Sequence, residues 1–506
     1  MLQPPAECLD GILQHLHDDA GSLYSCLLVN RLWCERVVPI LWCNPWQNRQ
    51  LLIDRTPWPA IVRTLLSCLT DESKRILMKN GIEISQQISR PPLFNYIKYC
   101  QYLSPTVIDC MKRELVNDDN NVDLPKAYRE TLVEQEFYKL FMARTCLKHL
   151  VLPRIPLSYC PGAEICLEKL RELKCHTDRS PELFYGLAQI SRNLLRISIY
   201  PCDRDNEGLI ALIKLQKGLN SLVMESSEDH ISSCPRMGYA LSTQANSLTH
   251  IKFRQSMCIA PTVLSTFTNL RILQIDISTE IINKEQLTFT SIPKLEILDI
   301  FHDETTPFSI YISFIENIPP KFQRVYWDLI SPPSCSAEIK RYIKALSLSH
   351  ATLKFITVWW DEDCIEDLYG LIKSCHQLEA IRICSPRDEI QTFKEIYNDE
   401  QSIEEMDDTL LLGGNQIFEL LKNAAPKNLS ILNLHIRWAF STMELQSFLE
   451  SWVGKKKISI YLPYESKLVL KCDMIIRRYH EKGILKDFQY IDALDNVYSL
   501  RDLWSY

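Results

Sequence analysis

Glycine is scarce in this 506-residue chain, with 13 in all, and none of them falls in the spacing of a phosphate-cradling loop. No block of lysine and arginine resembles a nucleic-acid arm. The 56 basic and 63 acidic residues leave a net charge of -7, spread along the chain. A nucleic-acid partner is therefore not expected. No apolar run reaches the roughly 18 residues that a membrane span requires, so no membrane partner is expected either. Glu7 and Asp10 interrupt what would be the apolar core of a secretion signal. Nineteen cysteines are scattered without a single CxxC pair. In the absence of a secretion signal they read as reduced thiols, many of them small core residues, and the expected localisation is cytoplasmic and/or nuclear.

Catalytic signatures are missing as well. GxSxG, HExxH and the kinase-type motifs do not occur. His15 and His17 read as a surface pair on a helix end, with no metal spacing around them. Cys364 and the Cys375-His376 pair would fall on different turns of a helix, so buried thiols are favoured over a nucleophile and its base. Gly413-Gly414 reads as a turn before a helix. The chain is expected to be no enzyme, with no catalytic residue, no metal and no cofactor. A clustered set of strongly perturbed pKa values in one cleft would reverse that reading.

What is present is an ordinary globular composition, 46% hydrophobic and 24% charged, organised as a repeat. The pattern L-x-x-L-x-(aliphatic or aromatic) recurs as LKHLVL at 147, LRELKC at 170, LLRISI at 194, LNSLVM at 219, LTHIKF at 248 and LRILQI at 270. It continues as LEILDI at 295, FQRVYW at 322, LKFITV at 353, LEAIRI at 378, LSILNL at 429 and a degenerate KKKISI at 455. A period of about 25 residues with one short alternating strand per copy is the signature of a leucine-rich repeat. The predicted fold is an α/β solenoid, a horseshoe with one parallel strand per repeat over 145–465. Returning segments such as 160–168 and 361–375 would lie on the other side, the latter with Ile365, Leu368, Leu371 and Ile372 at helical spacing. The double-length step before 429 contains the acidic run 398–408, read as a solvated loop. Residues 47–144 read as a helical connector and N-terminal cap, with amphipathic helices over 58–69, 96–115 and 129–143 and a polar loop at 117–123. Residues 466–506 read as a C-terminal cap.

The first 46 residues differ from all this. Leu9, Ile12, Leu13 and Leu16 fall on one face of a helix that Pro4 and Pro5 could start. Ser22 can cap a second helix carrying Leu23, Cys26 and Leu27. After Asn30, a third carries Trp33, Val37, Ile40 and Leu41. Three such short helices bury their own apolar faces poorly and need a partner.

The order Pro5, Leu9, Ile12, Leu16, Asp19, Leu23, Leu27, Val29, Asn30, Arg31, Trp33, Leu41 and Trp42 resembles an F-box. It is similar in particular to the F-boxes of a fungal family in which the motif precedes a leucine-rich-repeat region. One departure is Pro4-Pro5 in place of the usual Leu-Pro start. The resemblance implies docking to the Skp-type adaptor of a cullin-RING (SCF-type) ubiquitin ligase. The matching positions are Pro5, Leu9, Ile12, Leu16, Leu23, Leu27 and Trp33, whereas Leu13 and Ile40 are read as internal packing. The implied function is that of a non-catalytic substrate receptor whose repeats hold a target protein. The alternative is a repeat scaffold whose opening helices are merely a cap.

Strand side chains alternate between the two faces of a sheet. The residues set between the repeat leucines would therefore line the inner, concave face: Lys174, His176, Tyr200, Lys252, Arg254, Asp276, Asp299, Phe301, Tyr326, Asp328, Trp359, Arg382 and His435. Exposed aromatic and arginine side chains on a rigid surface suit a target-binding site. Trp360 joins the set because strict alternation cannot bury both Trp359 and Trp360.

Overall fold

The computed structural model describes residues 6–16, 19–46, 58–84, 92–116, 124–227, 233–277, 281, 283–303, 305–328, 330–384, 412–434, 438–439, 442–463 and 469–491. The chain divides into two compact units, Met1–Leu222 and Val223–Tyr506.

The first unit opens with three helices, α1 (Ala6–His15), α2 (Ala20–Leu27) and α3 (Arg31–Leu41). Asp19, rather than Ser22, caps α2: its carboxylate accepts from the Ser22 N–H at 3.0 Å. The Ser22 hydroxyl and N–H hold that carboxyl below its usual pKa. Asn30 caps α3 by accepting from the Trp33 N–H at 3.1 Å. Such side chains satisfy amides that a helix start otherwise leaves unpaired. Leu9, Leu13, Leu23 and Val37 form the core of the three helices.

The connector holds helices Trp58–Ser67, Asp71–Lys79 and Lys126–Arg144. Between them, the single helix expected over 96–115 is a 3-10 turn (Tyr96–Tyr99), a strand β1 (Tyr102–Leu103) and a helix (Pro105–Leu115). Pro105 explains the break, because it biases Ser104 toward extended backbone, and it then suits the first turn of a new helix. The strands β2 (His149–Val151), β3 (Glu172–Cys175) and β4 (Arg196–Ile199) follow β1 in parallel, each pairing with the one before. Leu173 and Cys175 point into the core while Lys174 is exposed, which is the alternation a half-buried strand requires.

Parallel neighbours need a long return. Here the returns are helices, among them Ala163–Leu167, Pro181–Ile190 and Glu207–Lys214. Two glycines permit the close stacking. A Cβ on Gly208 would lie 2.1 Å from the Pro181 carbonyl oxygen, and one on Gly162, whose φ is +87, 2.6 Å from that of Met142.

A fifth strand, β5 (Ser221–Glu225), spans the boundary between the units. The second unit continues with β6 (His250–Arg254), β7 (Ile272–Asp276), β8 (Ile297–Phe301), β9 (Arg324–Asp328), β10 (Phe355–Trp359) and β11 (Ala380–Cys384). After a short strand β12 (Leu412–Gly413) come β13 (Ile431–Leu434), β14 (Trp438–Ala439), β15 (Ile458–Pro463) and β16 (Leu485–Ile491). From β6 onward each long strand pairs in parallel with its predecessor in chain order, while β12 and β14 form a separate pair.

All twelve copies read from the sequence carry a strand. The helix expected around Leu368, Leu371 and Ile372 is Ile365–Ser374, and those three side chains are buried. Where a closing cap was expected, helix Val469–Glu481 and β16 add one more helix-strand step. The protein is therefore an α/β solenoid of leucine-rich-repeat type. Among the described residues, no helix is long and apolar enough to cross a membrane.

Candidate interaction surfaces

The opening helices sort the expected docking residues into two groups. Leu9 and Leu23 are wholly buried in the module's own core, together with Leu13. They hold the helices to one another and do not face outward, contrary to the expectation. Leu16, Leu27, Trp33 and Ile40 are half-buried against that core. Ile12 is 49% exposed. Pro5 and His17 lie outside the described residues.

The structure also exposes apolar side chains that helical spacing did not single out: Tyr24, Leu28 (88%) and Val29 (57%). Leu28 and Val29 stand where α2 gives way to α3, beyond the reach of an i, i+3, i+4 reading. The far end of the module is anchored. Trp42 packs on Tyr96 with ring centroids 4.5 Å apart, Trp46 meets Phe141 at 6.1 Å, and the Gln101 N–H donates to the Cys43 carbonyl at 2.9 Å.

The inner strand face has two characters. In the first unit it is open and polar. Lys174 and Tyr200 are exposed, and Tyr200 stands 6.4 Å from the half-buried His176 ring. Burial, with Arg179 nearby, lowers the pKa of His176. Glu172 pairs with both His149 (2.9 Å) and Arg196 (2.7 Å).

In the second unit Arg254 is exposed and pairs with Glu225 at 3.2 Å, and half-buried Asp276 meets the His302 Nδ1 at 2.9 Å. Beyond β7 the face closes. Asp299, Phe301, Tyr326, Asp328 and Arg382 are all buried, and so is Lys252 on β6. The expectation of an exposed aromatic and arginine surface is wrong for these positions, and their contacts give the reason. Phe301, Tyr326 and Phe355 pack as tilted rings across adjacent strands with centroids 5.3 and 5.5 Å apart. Arg382 donates from Nη1 to the Tyr326 hydroxyl (2.9 Å) and from Nη2 to Asp328 (2.6 Å). A second pair, Arg324 and Asp299, sits 2.8 Å apart, and the Arg324 guanidinium lies over the Tyr326 and Phe355 rings. Burial opposes the charge on Arg382, yet Asp328 and Tyr326 beside it raise its pKa above the ordinary arginine value. Burial also pushes the Tyr326 phenol up.

Trp359 and Trp360 are both buried, against the expectation that one must be exposed. The β9–β10 ladder breaks here, its register pairs being at Phe355 and Ile356, while β10 stays paired with β11 through Trp359. At the next residue, the Thr357 Oγ1 accepts from the Trp327 N–H at 3.2 Å and its carbonyl from the Tyr342 hydroxyl at 2.9 Å. The chain then turns Trp359 into a cluster with Phe308 (4.6 Å), Tyr342 (5.6 Å) and Trp327 (6.3 Å). His435 and the acidic run 398–408 lie outside the described residues.

Cys364 and Cys375 are buried, and desolvation pushes their thiols up to about 12 and about 11. Thiols so shifted are poor nucleophiles. None of the described cysteines forms a disulfide.

No family model matches the chain, and no curated protein matches it. Among solved structures, a chain of the Rad7 and Elc1 complex in yeast is similar at 16% identity. That match covers 64% of this chain and 77% of that one, with a TM-score of 0.38. An internalin (inlF) from Listeria monocytogenes is similar at 12% identity, covering 62% of this chain and 67% of that one, with a TM-score of 0.29. Both values are low, and the fold stands on the strand pairing described above.

Proposed function

We propose that this chain is a non-catalytic substrate receptor of a cullin-RING ubiquitin ligase, acting in the cytoplasm or nucleus. The opening helices dock the Skp-type adaptor and the repeats hold a target protein. One observation carries the reading. The three helices close their own core and are anchored at Trp42 and Trp46, yet Ile12, Tyr24, Leu28 and Val29 remain exposed. A cap serving only the rest of the chain has no reason to leave such side chains in water, whereas aliphatic and aromatic anchors on short helices suit helix-in-groove recognition. The adaptor contact set therefore shifts from Leu9 and Leu23 toward Ile12, Leu28 and Val29, with half-buried Leu16, Leu27 and Trp33 behind them. Catalysis needs nothing further from this chain. Tethering a target near a charged ubiquitin-conjugating enzyme raises its effective concentration, converting a rare encounter into an intramolecular one.

The test is co-purification of the full chain with a Skp-type adaptor, beside the variant Ile12→Asp/Leu28→Asp/Val29→Asp. Stoichiometric binding by the wild type, lost in the variant at unchanged circular dichroism, is the expected result. Failure of a well-folded wild-type chain to bind would overturn the ligase reading and leave a repeat scaffold.

A further inference from the structure

A groove of about 560 Å³ opens among the returning segments of the first unit. One wall is the 3-10 turn Leu157–Tyr159 with the short helix Ala163–Leu167, and the other is helix Pro181–Ile190. The walls meet at Gly186, where a Cβ would lie 2.1 Å from the Ser158 Oγ. Each wall contributes one tyrosine and one glutamate to the lining: Tyr159 and Glu164 from the first, Tyr185 and Glu182 from the second. Tyr159 is 81% exposed and Tyr185 42%, so neither ring is needed by the core.

The carboxylates are not neutralised by the protein. Among the described residues neither Glu164 nor Glu182 belongs to an ion pair, and Glu182 accepts only the Ser180 hydroxyl. Two aromatic faces and two uncompensated carboxylates around one opening favour a cation. A guanidinium stacks on phenol rings through their quadrupoles and offers carboxylates a planar fork of donors, while Ile190, also in the lining, gives its aliphatic stem an apolar contact.

We propose that this groove binds an arginine-bearing basic segment of a partner protein. It lies outside α1–α3, so the inference goes beyond the receptor reading and stands without it.

The experiment is fluorescence anisotropy on the full chain with a fluorescein-labelled peptide of four arginines alternating with glycine. The citrulline counterpart has nearly the same shape without the charge. Saturable binding of the arginine peptide and none of the citrulline peptide is expected. Glu164→Gln/Glu182→Gln should weaken binding at least tenfold, as should Tyr159→Ala/Tyr185→Ala, which leaves the charge untouched. The control Glu114→Gln/Glu168→Gln removes equal charge from exposed positions outside the groove and should retain the affinity. Equal loss in that control, equal binding of citrulline, or no saturable binding by a folded wild-type chain would each overturn the proposal.

Discussion

Arg382 and Asp328 show what a buried charge demands. Both side chains are almost completely removed from water, and each satisfies the other at 2.6 Å. Removing one partner leaves an uncompensated charge, which costs about 3–5 kcal/mol in comparable settings, whereas replacing both with apolar groups is often neutral. Arg382→Ala should therefore lower the unfolding free energy of the second unit by about that amount. Arg382→Met/Asp328→Leu should recover most of the loss. Urea denaturation followed by circular dichroism checks both, and equal losses in the two variants would show that the ion pair is not the cause. The buried thiols make a second, pH-dependent prediction. Desolvation raises Cys166 and Cys375 to about 11 and Cys175 to about 12, from an ordinary value of 9.0. The folded chain thus holds these protons where the unfolded chain releases them. Below pH 9 the thiols contribute no pH dependence, and from about pH 9 to 11 stability should fall as pH rises. Denaturation midpoints at pH 8 and pH 10.5 test the sign. Thiol labelling at pH 8 should reach exposed Cys8, Cys146 and Cys335 well before any of these three.

Two contacts at the level of elements are open to single substitutions. Helix Glu207–Lys214 approaches helix Pro181–Ile190 so closely that Gly208→Ala must push apart backbone atoms. Overpacking of this kind costs about 1–3 kcal/mol, read as a lower thermal midpoint. Thr357→Val keeps the shape at the β9–β10 break but deprives the buried Trp327 N–H of its acceptor. That loss is worth about 1–3 kcal/mol, and Thr357→Ser should restore the bond. The twelve strands were legible in the sequence because each L-x-x-L-x-L copy is enforced by one continuous core. β1 was not, since Tyr102–Leu103 is too short to show alternation, and neither was β16, whose sequence LKDFQYI lacks the repeat spacing. For the candidate sites, alternation tells which side of a strand Tyr326 or Arg382 occupies but not whether that side meets water. Helical spacing likewise found the apolar positions of α1–α3 without separating inward Leu9 and Leu23 from outward Ile12. Leu28 and Val29 carried no periodic signal at all.

A solenoid makes the whole molecule a chain of neighbours. Each repeat contacts the ones beside it, so stability is close to a sum of repeat and nearest-neighbour terms. The receptor reading draws on this directly, because one end can be altered by its partner while the target-holding repeats keep their geometry. The consequence is measurable by hydrogen exchange. Arg382→Ala breaks contacts shared by β9 and β11, so amides of β9, β10 and β11 should exchange faster, as local opening becomes easier. Protection in α1, α2 and α3 should stay as in the wild type. Adaptor co-purification by that variant should also be unchanged, just as Ile12→Asp/Leu28→Asp/Val29→Asp should leave protection in β9–β11 untouched. Parallel loss of protection in the opening helices and in β9–β11 would instead mean that the chain opens as one cooperative body. Docking and target recognition could not then be treated as separable, and the tethering argument would have to include a coupling free energy between them.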